Sequence, residues 1–168
     1  VLLILVLMMG GVHVNAQTKI AHINSQELLD TLQSRKDAMA KLKKFEEEGV
    51  IELQEMNKSF EGAYLRYQQG QADMSPVIKK MEEEKLMKKQ QALETRQQEL
   101  EQQMQIYGQE LNRPILELVQ SAVNNVAEKE KISYVLDETV TLYFQGGLDI
   151  TSEVMAELLK LEAELLGK

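Results

Sequence analysis

A chain of 168 residues can make one ordinary domain, yet only 5% of this one is aromatic and it contains no Trp, which leaves little to fill a large core. The absence of Cys excludes disulfides, thiolate chemistry and lipid attachment at Cys. The formal net charge of −8 gathers near the end: residues 27–69 hold 7 basic and 9 acidic side chains, 76–131 hold 9 and 10, and 137–168 hold 2 and 7. No basic face stands free of interleaved acids, so nucleic acid is excluded as a partner.

Residues 1–16 are apolar and uncharged and end Val14-Asn15-Ala16, with small residues where signal peptidase accepts them. A cleaved signal peptide is expected, cut before Gln17, with the sequence beginning inside that signal. The segment is shorter than the roughly 20 apolar residues of a bilayer span, and the exported mature chain is expected in the periplasm. Lys19-Ile20-Ala21-His22-Ile23-Asn24 alternates weakly and predicts a short strand, after which Asn24 or Ser25 caps a helix.

Two long helical runs follow. Leu28, Leu32, Met39, Leu42, Phe45, Leu53, Met56, Phe60 and Ala63 recur mostly at three, four or seven residues, which keeps them on one helix face. Leu86, Leu93, Leu100, Tyr107 and Pro114 recur at intervals of seven, with Met104, Leu111 and Leu118 between them. A sustained period of seven predicts a supercoiled seam. The pattern stops only around Gln68–Pro76, where Ser75 can cap the second helix and Pro76 suits its first position. The prediction is an antiparallel coiled-coil hairpin over residues 27–131, its tip at about 64–76, with helices of roughly 60 Å and 80 Å. Gly49 and Gly62 are expected soft points where the arm bends, and Pro114 is expected to kink or divide the second helix. Tyr64, Tyr67 and Met74 at the tip serve either as caps on the seam or as contacts for something outside.

Beyond Pro114 the apolar face broadens through Ile115, Leu118, Val119, Ala122, Val123 and Val126, where the arm should meet a body. Ile132–Asp137 and Val140–Phe144 read as two strands separated by Glu138-Thr139. Gly146-Gly147 then turns the chain, and Thr151 caps a last helix through Val154, Leu158, Leu161 and Leu165. The fold class is mainly α with a small β-rich body, built from residues 17–26 and 132–168, carrying the arm. Three short strands leave open edges, and joining other protomers is the simplest protection. Ile20, Ile23, Tyr134, Leu136, Leu142 and Phe144 are the candidate oligomerisation residues.

No catalytic constellation is apparent. His22 has no His, Cys or carboxylate at ligand spacing and is read as structural, and no Gly-rich phosphate loop precedes a Lys. Neither a cofactor, a metal nor an enzymatic activity is expected.

The order of these parts resembles the Skp/OmpH family of periplasmic chaperones, over essentially all of the mature chain. The resemblance rests on Lys19–Glu27, the two charged helices, Ile132–Asp137 and Gly147-Leu148-Asp149-Ile150-Thr151. It implies a trimer in which a β-rich body holds three helical arms around a cavity, like a jellyfish. It also implies an ATP-independent holdase that binds unfolded outer-membrane β-barrel proteins and prevents their aggregation before membrane insertion. The family is further described as binding lipopolysaccharide, a role that no residue here is assigned. Client contacts are expected at Tyr64, Tyr67, Met74, Met81 and Met87, since Met side chains adapt to variable surfaces. Two other readings compete. One is a structural coiled-coil spacer or adaptor of the cell envelope docking one defined partner, and the other is a prefoldin-like chaperone, whose cytosolic setting the leader opposes.

Overall fold

A computed structural model describes residues 18–167. The expected leader lies outside the described residues. In chain order the elements are β1 (Ile20–Ile23), α1 (Ser25–Thr31), α2 (Gln33–Gly70), α3 (Pro76–Glu130), β2 (Tyr134–Asp137), β3 (Leu148–Asp149) and α4 (Thr151–Leu166).

The hairpin forms as its pattern predicts. Phe45 packs on Tyr107 with ring centroids 5.4 Å apart, Arg96 forks onto Glu52 with two bonds of 2.9 Å, and Lys89 donates to Ser59 at 2.9 Å. Each pairing moves towards the end of α2 as it moves towards the start of α3, so the helices are antiparallel. Ser75 Oγ accepts from the Ile78 N–H and Pro76 opens α3. Leu100 is buried in the seam, and Leu86, Leu93, Met104 and Tyr107 are half-buried. Two members of the expected stripes are not in it: Pro114 and Met39 face solvent, the latter 62% exposed.

The helix breaks do not all fall where they were expected. Gly49 lets the helices approach, since a Cβ there would meet Leu100 Cδ2 at 3.1 Å. Pro114 does not divide the second helix: it sits inside a continuous α3, towards the wider base of the hairpin, where α4 also packs on the helix and adds tertiary support. The real interruption is Leu32, whose extended backbone (φ −70°, ψ 130°) separates α1 from α2 while its side chain is fully buried.

The sheet has the order β2-β1-β3, and both pairings are parallel, Ile20 opposite Tyr134 and Ala21 opposite Leu148. Val140–Phe144 is not a strand, contrary to expectation. Asp137 turns the chain away from β2: its carboxylate accepts from the N–H groups of Thr139 and Ser25, and its carbonyl accepts from Thr141 Oγ1. Residues 138–147 then cross to the far edge of β1, where Leu148-Asp149 takes the place expected of the earlier segment. Parallel neighbours require such a crossover.

The core lies between the sheet face of Ala21 and Ile23, the base of the hairpin (Leu28, Leu32, Ile115, Ala122, Val126) and α4 (Val154, Leu158). One expected cap is absent and one cap is remote. Thr151 does not cap α4; it begins the helix, donates its N–H to Asp149 and accepts from the Asn24 N–H. The start of α2 has no side-chain cap of its own. Instead Glu162 of α4 accepts from the Gln33 and Ser34 N–H groups at 3.3 and 2.7 Å.

Candidate functional site

Apolar residues that fall outside the heptad register remain on the surface because the seam has room for only one stripe per helix. At the tip these are Tyr64 and Leu65 on α2 and Val77, Ile78 and Met81 on α3, exposed by between 44% and 69%. Further along, Val50 and Ile51 form a second patch, and Ile106 and Met87 are also exposed. A groove of about 410 Å³ runs beside the seam past Phe45, Val50, Leu53 and Met104. Acidic and basic side chains surround these patches, as in the Lys43–Glu47 and Lys44–Glu48 pairs. Such a surface can make many small apolar contacts with an extended chain and stay dissolved without one.

The five expected contact residues divide. Tyr64, Met81 and Met87 are exposed. Tyr67 and Met74 are partly buried and engaged within the hairpin: the Tyr67 hydroxyl donates to Glu83 Oε1 at 2.5 Å, and Met74 Cε lies against Gly70. The Glu83 carboxylate holds that phenol protonated, which pushes its pKa up to about 12. Leu65, Val77 and Ile78 were not anticipated. Their signal was present, because Val77 and Ile78 precede the seam position that seven-residue counting from Leu86 places at Lys79.

A second exposed apolar surface covers the sheet face away from the core. Ile20, Tyr134 and Leu136 share it, Phe144 packs on His22 of the same face, and Val140, Leu142 and Tyr143 of the crossover are also exposed. Ile23 does not belong to this surface: it is 6% exposed and part of the chain's own core. The outer edges of β2 and β3 have no strand partner among the described residues. His22 lies on the same face, and the fold brings Glu138 and Asp149 beside it although both are more than 110 positions away in sequence. The expectation that it lacks a carboxylate partner is therefore overturned.

Among the described residues no helix is long and apolar enough to cross a membrane. The family described as outer membrane protein (OmpH-like) matches residues 19–158. The chaperone protein Skp of Pectobacterium atrosepticum is 27% identical over 145 residues, covering 86% of this chain and 88% of that protein. Its counterpart in Photorhabdus laumondii is 26% identical and covers 88% and 90% respectively. A crystal structure from Caulobacter crescentus, of a protein described as an OmpH-like outer membrane chaperone, superposes with a TM-score of 0.73 over 94% of this chain and 92% of that one, at 18% identity.

Proposed function

This chain belongs to the OmpH-like family of outer membrane proteins, and on that premise we propose that it is a periplasmic chaperone that holds unfolded outer-membrane proteins and keeps them from aggregating. The observation that carries the reading is the group of exposed apolar side chains at the hairpin tip: Tyr64, Leu65, Val77, Ile78 and Met81. Each is already part-covered, so further burial against a client contributes about 1 kcal/mol per side chain. A handful of such contacts must also offset the loss of translational freedom. Only many of them together hold a client, and each is weak enough to exchange quickly. Release then needs no nucleotide, which makes the mechanism ATP-independent.

Holding is strengthened if several hairpins surround one client. The exposed face of Ile20, Tyr134, Leu136, Leu142 and Phe144, together with the open edges of β2 and β3, supports assembly through the base of the molecule, as a homotrimer with the hairpins around a cavity. Tyr67 and Met74 then act as fasteners of the tip rather than as client contacts, and Met87 extends the contact surface along α3. The periplasmic address rests on residues 1–16 acting as a cleaved signal peptide.

The test is sedimentation of the mature protein, alone and with a β-barrel membrane protein diluted from urea, with light scattering to follow aggregation. A trimer that yields a soluble complex and suppresses scattering supports the reading. A monomer that leaves the scattering unchanged refutes it. Binding to one folded partner without protection of unrelated barrels would favour the envelope spacer or adaptor.

A further inference from the structure

His22 in β1, Glu138 in the turn after β2 and Asp149 in β3 come from separate segments, yet each offers a ligand atom within 4.8 Å of the others. The imidazole is fixed in place. Phe144 packs against it with ring centroids 4.9 Å apart, and Gly147 closes the other approach, where a Cβ would lie 3.2 Å from His22 Cδ2. Gly147 has φ +107°, a conformation that side chains other than Gly rarely adopt, so the close approach is built into the crossover.

The Nδ1 atom of His22 is shut off from solvent and has no hydrogen-bond partner. Glu138 Oε1 lies 2.6 Å away, within ion-pair range, without being a hydrogen-bond partner of that nitrogen. A buried polar atom left in that state is costly. Asp149 is oriented as metal-binding carboxylates commonly are: one oxygen accepts the Thr151 N–H at 2.9 Å. No Lys or Arg pairs with Glu138 or Asp149 among the described residues.

We infer that His22, Glu138 and Asp149 form a binding site for a borderline divalent cation of the zinc class, which would tie the three segments of the sheet together. One imidazole nitrogen and two carboxylate oxygens suit such an ion, and they leave the fourth position to water. A hard cation such as Mg²⁺ gains little from the imidazole. Tetrahedral bonds of about 2.0–2.1 Å place ligand atoms roughly 3.3 Å apart. Glu138 must therefore withdraw slightly from His22, which its part-exposed side chain can do.

The experiment titrates Zn²⁺ into the full chain against a chromophoric chelator, with Co²⁺ absorption as a second readout. The only other imidazole in the sequence is His13, so His13→Ala is the control for ligation by the leader. Saturable binding of one ion per chain is expected, unchanged in His13→Ala, abolished in His22→Gln and weakened at least about tenfold in Glu138→Gln. Excess Mg²⁺ should not displace it. The inference is overturned if Zn²⁺ does not saturate, if neither His22→Gln nor Glu138→Gln weakens binding, or if Mg²⁺ displaces it stoichiometrically. If His22→Gln unfolds, Glu138→Gln alone decides the question.

Discussion

Replacing Glu162 should detach the root of the hairpin from α4, although Glu162 lies at neither the tip nor the seam. Its side chain is 5% exposed and receives the N–H groups of the first two residues of α2. Hydrogen bonds to a charged acceptor contribute about 1.5–3 kcal/mol each, and cap removal alone about 1–2. The two bonds share one carboxylate, so Glu162→Ala should cost about 2–4 kcal/mol, and Glu162→Gln, which keeps one acceptor oxygen, about 1.5–3. Against a typical stability of about 5–15 kcal/mol that is a large fraction. Burial pushes the Glu162 carboxyl up, but the hydrogen bonds from Ser34 and Gln33 outweigh it and leave the pKa below the ordinary 4.5. With the folded value depressed, the carboxylate's contribution is complete above the unfolded value and is lost as pH falls through the folded one. The stability difference between wild type and Glu162→Gln should therefore stay constant from pH 7 to about 5.5 and then shrink towards pH 3. Urea unfolding followed by circular dichroism at 222 nm measures it, at one fixed protein concentration because any assembly links stability to concentration. A Glu162→Gln protein within about 0.5 kcal/mol of wild type at pH 7 would refute the reasoning, as would a difference that does not change down to pH 3.

Two of the glycines of α2, Gly49 and Gly62, should respond differently. Gly62→Ala meets only the Arg66 side chain at 3.6 Å and should stabilise by about 0.5–1 kcal/mol, whereas Gly49→Ala should lose that gain by pressing on Leu100 at 3.1 Å; urea midpoints compare them. Changing Val77, Ile78 and Met81 together to Ser should weaken protection of a denatured barrel protein in a scattering assay while the thermal midpoint stays within a few degrees, since all three are exposed. In an alkaline titration read at 295 nm, one of the five tyrosines should ionise near pH 12, and Tyr67→Phe should remove that late step.

The hairpin could be read directly because its information is local. Seven-residue spacing from Leu86 to Tyr107 and the Ser75-Pro76 pair specify a seam and a start by neighbours alone. What escaped reading depends on distant partners. Leu32 breaks the helix because its side chain enters the core and Glu162 satisfies the N–H groups that follow, an arrangement with no trace in the adjacent residues. Val140–Phe144 has strand composition, but a β-rich composition reports only residues suited to a half-buried surface. The turn chemistry of Asp137 and Thr139 decided otherwise. The tip was legible in position but only half legible in composition, since the spacing that identifies seam residues identifies exposed ones only by exclusion. His22 and its two carboxylates could not be linked before the crossover was known.

The central strand β1 lies near the start of the chain, while both of its partners, β2 and β3, begin more than 110 residues later. A nascent chain therefore cannot complete its sheet until the whole hairpin has been made. Zipping α2 onto α3 first shortens the effective loop from about 110 residues to about ten, which lowers the closure entropy by about 2 kcal/mol. The long limb is then a folding aid as well as a tool, since it delivers β1 to the strands it must join before any of them has a partner.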